Sequence, residues 1–212
     1  MKRYDCPRWL CCMMLLFCAG CAGHNAQTRP AERVYRNIEA LRGLPAREIE
    51  PMMQTLNRAL GVECTHCHVA EQWHDASKPA FAIARNMMRM VQTLNTEHLQ
   101  HTKGVSCWTC HAGQTRPERM PPEKFSAELE KWPEALANAE EGMKLTMAVY
   151  GAALGVSCEY CHVANDWQAR TRPAYQMVSV MNGMFEVFPK FMPASARTQC
   201  WMCHKGSTTP RR

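Results

Sequence analysis

The chain has 212 residues, with 13 cysteines, 9 histidines, 16 methionines and a formal net charge of +6. That charge is not gathered into a basic run with interleaved aromatics, which excludes a nucleic-acid partner. Beyond the first 21 residues no stretch is apolar enough to be read as a transmembrane helix.

Residues 1–21 read as an export signal. Lys2, Arg3 and Arg8 form a basic start, and Trp9 to Phe17 is an apolar stretch too short to span a bilayer. Cys18-Ala19-Gly20-Cys21 then has the form of a lipobox, with Cys21 as the lipidated first residue of the mature chain, although Cys18 stands where leucine is usual. Simple cleavage after Gly23 is the alternative. A multi-chain lipid at Cys21 would anchor the protein stably to a membrane surface. Residues 22–32 are expected to be a flexible tether.

Residues 33–116 form a first unit. Ile49, Met52, Met53, Leu56, Ala59 and Leu60 fall on one helical face, ended by Gly61 where a left-handed cap is expected. Cys64-Thr65-His66-Cys67-His68 follows. A long helix is expected from about Ala80 to Gln100, with Pro79 at its first turn and Phe81, Ala84, Met88, Val91 and Leu94 as its buried stripe. It leads to Cys107-Trp108-Thr109-Cys110-His111.

A polar, proline-punctuated linker is expected over residues 117–139, and a second unit over residues 140–212. Met53 to Phe81 aligns without gaps on Met147 to Tyr175, with 13 of 29 positions identical. Met143, Met147, Tyr150 and Leu154 repeat the apolar stripe before Gly155, and Cys158-Glu159-Tyr160-Cys161-His162 follows. The copy of the long helix is expected to start after Pro173 and break before Pro189. Trp201-x-Cys203-His204-x-Gly206-x-Thr208-x-Pro210 then repeats the pattern from Trp108 to Pro117, completing the motif that begins at Cys200.

Cys-x-x-Cys-His is the attachment signature of c-type haem. The two thiols add across the vinyl groups and the adjacent histidine binds the iron. Cys64, Cys67, Cys107, Cys110, Cys158, Cys161, Cys200 and Cys203 are thus the attachment residues, and His68, His111, His162 and His204 the proximal ligands. A zinc site needs four ligands, and each motif supplies three. The other five cysteines all lie within the first 21 residues, so a structural disulfide is not expected in the mature chain.

Four covalent haems in so short a chain imply a mainly α fold with extensive loops, two tandem dihaem repeats, and porphyrins forming much of the core. Loss of the signal leaves +4, and about eight haem propionates would bring the total to roughly −4.

Met53 and Met147 each stand 11 residues before a motif, as axial ligands to the first and third haems would. Met52 and Met143 are the neighbours most easily confused with them. Met87, Met88 and Met90 are candidates for the second haem, with Met181 and Met184 in the places of Met87 and Met90 in the second copy; Met88 reads as core. His66 and His74 have no counterpart histidine and read as surface residues, while Trp108 and Trp201 read as haem-packing aromatics.

The run Leu60-Gly61-Val62-x-Cys64-x-x-Cys67-His68, then Ala84-Arg85-x-Met87-x-x-Met90, then Gly104-Val105-x-Cys107-x-Thr109-Cys110-His111-x-Gly113 resembles the tetrahaem cytochrome subunit of photosynthetic reaction centres. The similarity covers roughly residues 33–210 in the same two-copy order. It implies methionine ligation of three haems, by Met53, Met87 and Met147, and a second histidine on the fourth, His101. His101 follows Met87 by 14 residues, close to four helical turns, and His98 would face a different side of the helix. The repeat instead offers Met181 for the fourth haem. The resemblance also implies a lipid anchor on the periplasmic face. Two departures stand out: the chain lacks the family's long insertion between the copies, and it retains Met181.

The function so implied is electron transfer by a tetrahaem cytochrome on the periplasmic face of the membrane, without catalysis. Its partners would be redox proteins, among them reaction-centre membrane subunits and a soluble donor. Two alternatives are a multihaem carrier or self-assembled conducting filament without a photosynthetic partner, and a multihaem reductase, which would need an open iron position in a polar pocket. The intact mass of the mature protein is expected to equal the polypeptide plus four haems; three or fewer would overturn the four-site assignment.

Overall fold

The structure is a computed structural model that describes residues 26–129, 140–192 and 200–210. The expected export signal, with Cys21, lies outside the described residues. The described chain is mainly helical: α1 (Ile49–Leu60), α2 (Pro79–Thr93), α3 (Cys107–His111), α4 (Pro122–Leu129), α5 (Glu141–Leu154), α6 (Cys158–Cys161), α7 (Arg172–Phe191) and α8 (Trp201–His204). A small antiparallel hairpin, β1 (His162–Val163) with β2 (Asp166–Arg170), follows the third motif.

Both helices that precede a first motif end as their sequences demand. α1 stops at Gly61, φ 64°, whose N–H donates to Asn57 O, and α5 stops at Gly155, φ 65°, whose N–H donates to Gly151 O. Only glycine enters this left-handed region without steric cost. A second reason for glycine is contact. A Cβ on Gly61 would lie 2.1 Å from the carbonyl oxygen of Gly113, and one on Gly155 would lie 2.2 Å from that of Gly206.

The same two glycines after the motifs donate back to the helices, Gly113 N to Ala59 O at 2.9 Å and Gly206 N to Ala153 O at 2.8 Å. α1 therefore packs on α3, and α5 on α8, by one backbone arrangement used twice.

The halves meet where α2 lies against α7 and α3 against α8. Met90, Leu94, Leu99 and Val187 are buried at the α2–α7 seam, with Met87, Val180, Met184 and Phe188 packed around them.

Several expectations are corrected. The helix from Pro79 does not continue to Gln100: α2 ends at Thr93 and passes into one π-helical turn, Leu94–His98, closed by Leu99 N to Leu94 O at 2.9 Å. The Asn95 side chain accounts for the change of path. Its amide donates to Val105 O at 2.9 Å and its carbonyl accepts from Val105 N at 2.8 Å, drawing the helix end toward the following segment. Conversely, α7 does not break before Pro189 and runs on to Phe191. Pro189 sits in the last turn, where its missing N–H forfeits only one helical bond.

Within the expected linker, α4 forms and packs on α5, and Glu118 pairs at 2.9 Å with the nearly buried ammonium of Lys205. The end of the expected tether is likewise tied down, with Ala31 N donating to Leu44 O at 2.7 Å and Ala46 N to Arg29 O at 2.9 Å.

Gly61→Ala and Gly155→Ala are each expected to destabilise the protein by about 2 kcal/mol or more, combining left-handed strain with backbone overlap. Gly142→Ala, at a helical position with open space around it, should leave the thermal midpoint unchanged or slightly raised.

Candidate functional site

Each motif histidine is held by the turn that follows it. His68 Nδ1 lies 2.7 Å from Trp73 O and His162 Nδ1 2.7 Å from Trp167 O. His111 Nδ1 lies 2.9 Å from Gln114 O and His204 Nδ1 2.9 Å from Ser207 O. A carbonyl can only accept, so Nδ1 carries the proton and Nε2 is left with its lone pair. That is the tautomer an iron ligand requires, with the second nitrogen oriented by a hydrogen bond. The two first motifs use a carbonyl five residues on, and the two second motifs use one three residues on.

The surroundings of these rings differ. Around His68, Trp73 and Phe81 stand edge-on, with centroids at 6.0 and 5.2 Å. The Arg85 guanidinium lies 4.8 Å above Phe81, donates to Asn37 O and Asn37 Oδ1 at 3.0 Å each, and is paired with Glu39. A cation is thus fixed one aromatic ring away from the first proximal histidine. Around His204, burial holds the imidazole pKa below its ordinary value, favouring the neutral ligand form.

The motif cysteines form no disulfide among the described residues. Burial pushes the thiols of Cys67, Cys107, Cys161 and Cys200 up. Cys110 and Cys203 approach to 2.8 Å between sulfurs, and that contact, followed by burial, raises the Cys203 thiol. The second and fourth motifs are therefore side by side. Thr109, a motif spacer, is buried and forms a capping box with Ser106, so spacer positions do not all face solvent.

A mostly apolar cavity of ≈ 350 Å³ opens beside the third motif, lined by Cys158, Cys161 and His162 on one part and Met147 on another. The donor set fits haem: two thiols, an imidazole with a free Nε2, and a thioether on a neighbouring helix. Met143, Met177 and Met181 line the same cavity.

The remaining expected residues fall as follows. Met53 is half-buried on α1, and Met87 is half-buried against the α2–α7 core. His66 and His74 are exposed. Trp201 is buried and Trp108 is partly exposed.

His101 is exposed, beyond the π-helical turn. His98, at the end of that turn, is the residue that sequence reasoning set aside. Its side chain is only 18% exposed, and its Nε2 is buried with no hydrogen-bond partner among the described residues. Glu97 Oε2 stands 4.0 Å off, outside bonding distance. The one sequence signal for it was proximity to Asn95, whose pairing with Val105 redirects the helix.

Thiol pairs joined to imidazoles of fixed tautomer define the class: a multihaem c-type cytochrome, an electron-transfer protein with covalently bound haem. Residues 18–132 match the family described as the photosynthetic reaction centre cytochrome C subunit, and the chain belongs to that family. It is 24% identical to the photosynthetic reaction center cytochrome c subunit of Rubrivivax gelatinosus over 250 residues, covering 85% of this chain and 68% of that protein. A shorter segment of 81 residues is 36% identical to cytochrome c-554 of Chloroflexus aurantiacus, covering 35% of this chain and 20% of that protein. The reaction center cytochrome c subunit of Roseobacter denitrificans is 26% identical over 100 residues, 42% of this chain and 27% of that protein.

Replacing both thiols of the third motif, Cys158→Ala with Cys161→Ala, is expected to lower covalent haem per polypeptide by one. The count by pyridine haemochromogen assay against protein mass checks this; an unchanged count would remove that motif from the attachment set.

Proposed function

We propose that the protein is a tetrahaem electron carrier on the periplasmic face of the membrane, held there through Cys21, which re-reduces the photo-oxidised donor of a reaction centre. The observation that carries this reading is the fourfold recurrence of a motif histidine with its Nδ1 proton committed to a backbone carbonyl. When bound, haem supplies a one-electron ferric/ferrous couple. The chain's part is to attach, ligate and space the cofactors, and two kinds of packing support that part: the paired glycine contacts within each half and the Cys110–Cys203 approach between halves.

Met53, Met87 and Met147 are assigned as the thioether ligands of the first three haems. Met147 has the best support, because it shares a cavity with His162. For the fourth haem we assign His98 in place of His101, on the buried, unpartnered Nε2 of one and the exposure of the other. The names of two relatives support the reaction-centre partner. The absence of the family's long insertion between the copies favours a second reading, a carrier with the same haems and a different acceptor.

Flash excitation of membranes containing the protein and a reaction centre decides between the two. Oxidation of haem after each flash is expected; haems that stay reduced, though chemically oxidisable, would leave the second reading. Met53→His and Met147→His are each expected to lower one midpoint potential by on the order of 0.1 V, within the roughly 0.8 V range that axial ligands span. A redox titration that overlays the parent would return that methionine to the apolar core.

A further inference from the structure

Gly183 lies inside α7 with ordinary helical backbone angles, far from either end, and is buried. After proline, glycine is the least favourable residue for a helix interior, so its place there calls for a reason in packing. The reason is the imidazole of His98. A Cβ on Gly183 would stand 2.3 Å from both Cγ and Nδ1 of His98 and 2.8 Å from its Cβ, so no other residue fits while the ring is where it is. The π-helical turn that carries His98 packs directly on α7.

The corresponding position in the first copy is Arg89, which points to a different task by pairing with Glu39 at 2.6 Å. The two copies thus differ at one helix position in what they accept: a long cation bound for the N-terminal segment in one, and an empty slot in the other. A histidine from the first copy fills that slot, and its Nε2 has no hydrogen-bond partner among the described residues.

We propose that Gly183 is a positioning residue: by lacking a side chain it seats His98 across the boundary between the copies, so that Nε2 is presented as an axial ligand. This rests on the assignment of His98 to the fourth haem given above, under which that haem differs in ligation from the three assigned methionines. The glycine touches no reacting atom and acts only through the ring it admits.

Spectroscopy and redox titration of the full-length haem-loaded protein test the idea. In Gly183→Ala the low-spin signal of the bis-imidazole haem is expected to disappear and one midpoint potential to rise, with covalent haem content unchanged. Met184→Ala, which loosens the same seam without touching the slot, should leave that signal intact. If both variants lose it, or if Gly183→Ala keeps it, the positioning role is overturned.

Should Gly183→Ala fail to accumulate, His98→Gly supplies the second measurement, because it removes the ring the alanine would strike. Free imidazole is expected to restore the low-spin signal in His98→Gly, and adding Gly183→Ala should weaken imidazole affinity about tenfold or more. Equal affinity in the two backgrounds would also overturn it. The ligand assignment fails separately, and visibly, if His98→Ala leaves every haem signal and potential as in the parent.

Discussion

Two backbone hydrogen bonds, from Gly113 to Ala59 and from Gly206 to Ala153, organise everything else in this protein. Each joins the turn after a second motif to the last turn of the helix that leads into a first motif. The contact is made main chain to main chain, at a distance that leaves no room for a Cβ on Gly61 or Gly155. Two attachment sites far apart in sequence are thereby held on one rigid scaffold. Backbone contacts of this kind do not rearrange by side-chain rotation, so the relative placement of neighbouring cofactors is set by the fold. A carrier benefits from that rigidity, since electron transfer between fixed centres needs little nuclear rearrangement.

The same economy appears at the motif histidines. Their protons are committed to carbonyls of the turns that follow, so each ring is oriented before any metal is bound. Ring orientation, tautomer and thiol placement therefore come from a few residues of local chain at every motif. The long helices are left free to diverge, and they do. α2 carries Arg85 and Arg89 to Glu39, fastening the N-terminal segment and fixing a cation near His68. α7 has Ser179 and Gly183 in those places and receives a histidine from the other half. Duplicated attachment with diverged helices allows haems in similar pockets to differ in ligand and in charge environment.

Much of the attachment chemistry was legible from local pattern. Cys-x-x-Cys-His spans five residues, and its meaning does not depend on what packs around it. Gly61 and Gly155 were readable as caps because a left-handed residue after an apolar helical stripe is a local requirement. The repeat singled out Met147, and that residue lines the cavity beside His162. What failed was continuity. The helix expected to reach Gln100 ends earlier because Asn95 bonds to Val105, a contact that no periodicity reports. The reading of His98 as facing a different side of the helix rested on that continuity, which the π-helical turn interrupts. The linker likewise hid α4, whose packing on α5 involves residues from two segments.

The sequence by itself determined the cofactor chemistry, the tandem organisation of the motifs and the ends of the helices before them, because spacing and conformational preference over a few residues suffice for each. Only the tertiary structure decided which histidine is buried, that Met181 lines the cavity beside the third motif, and why position 183 must be glycine. Those answers depend on how two helices from different copies lie against each other. The decisive distances there, such as 2.3 Å from an imagined Cβ of Gly183 to the His98 ring, exist only once the chain has folded.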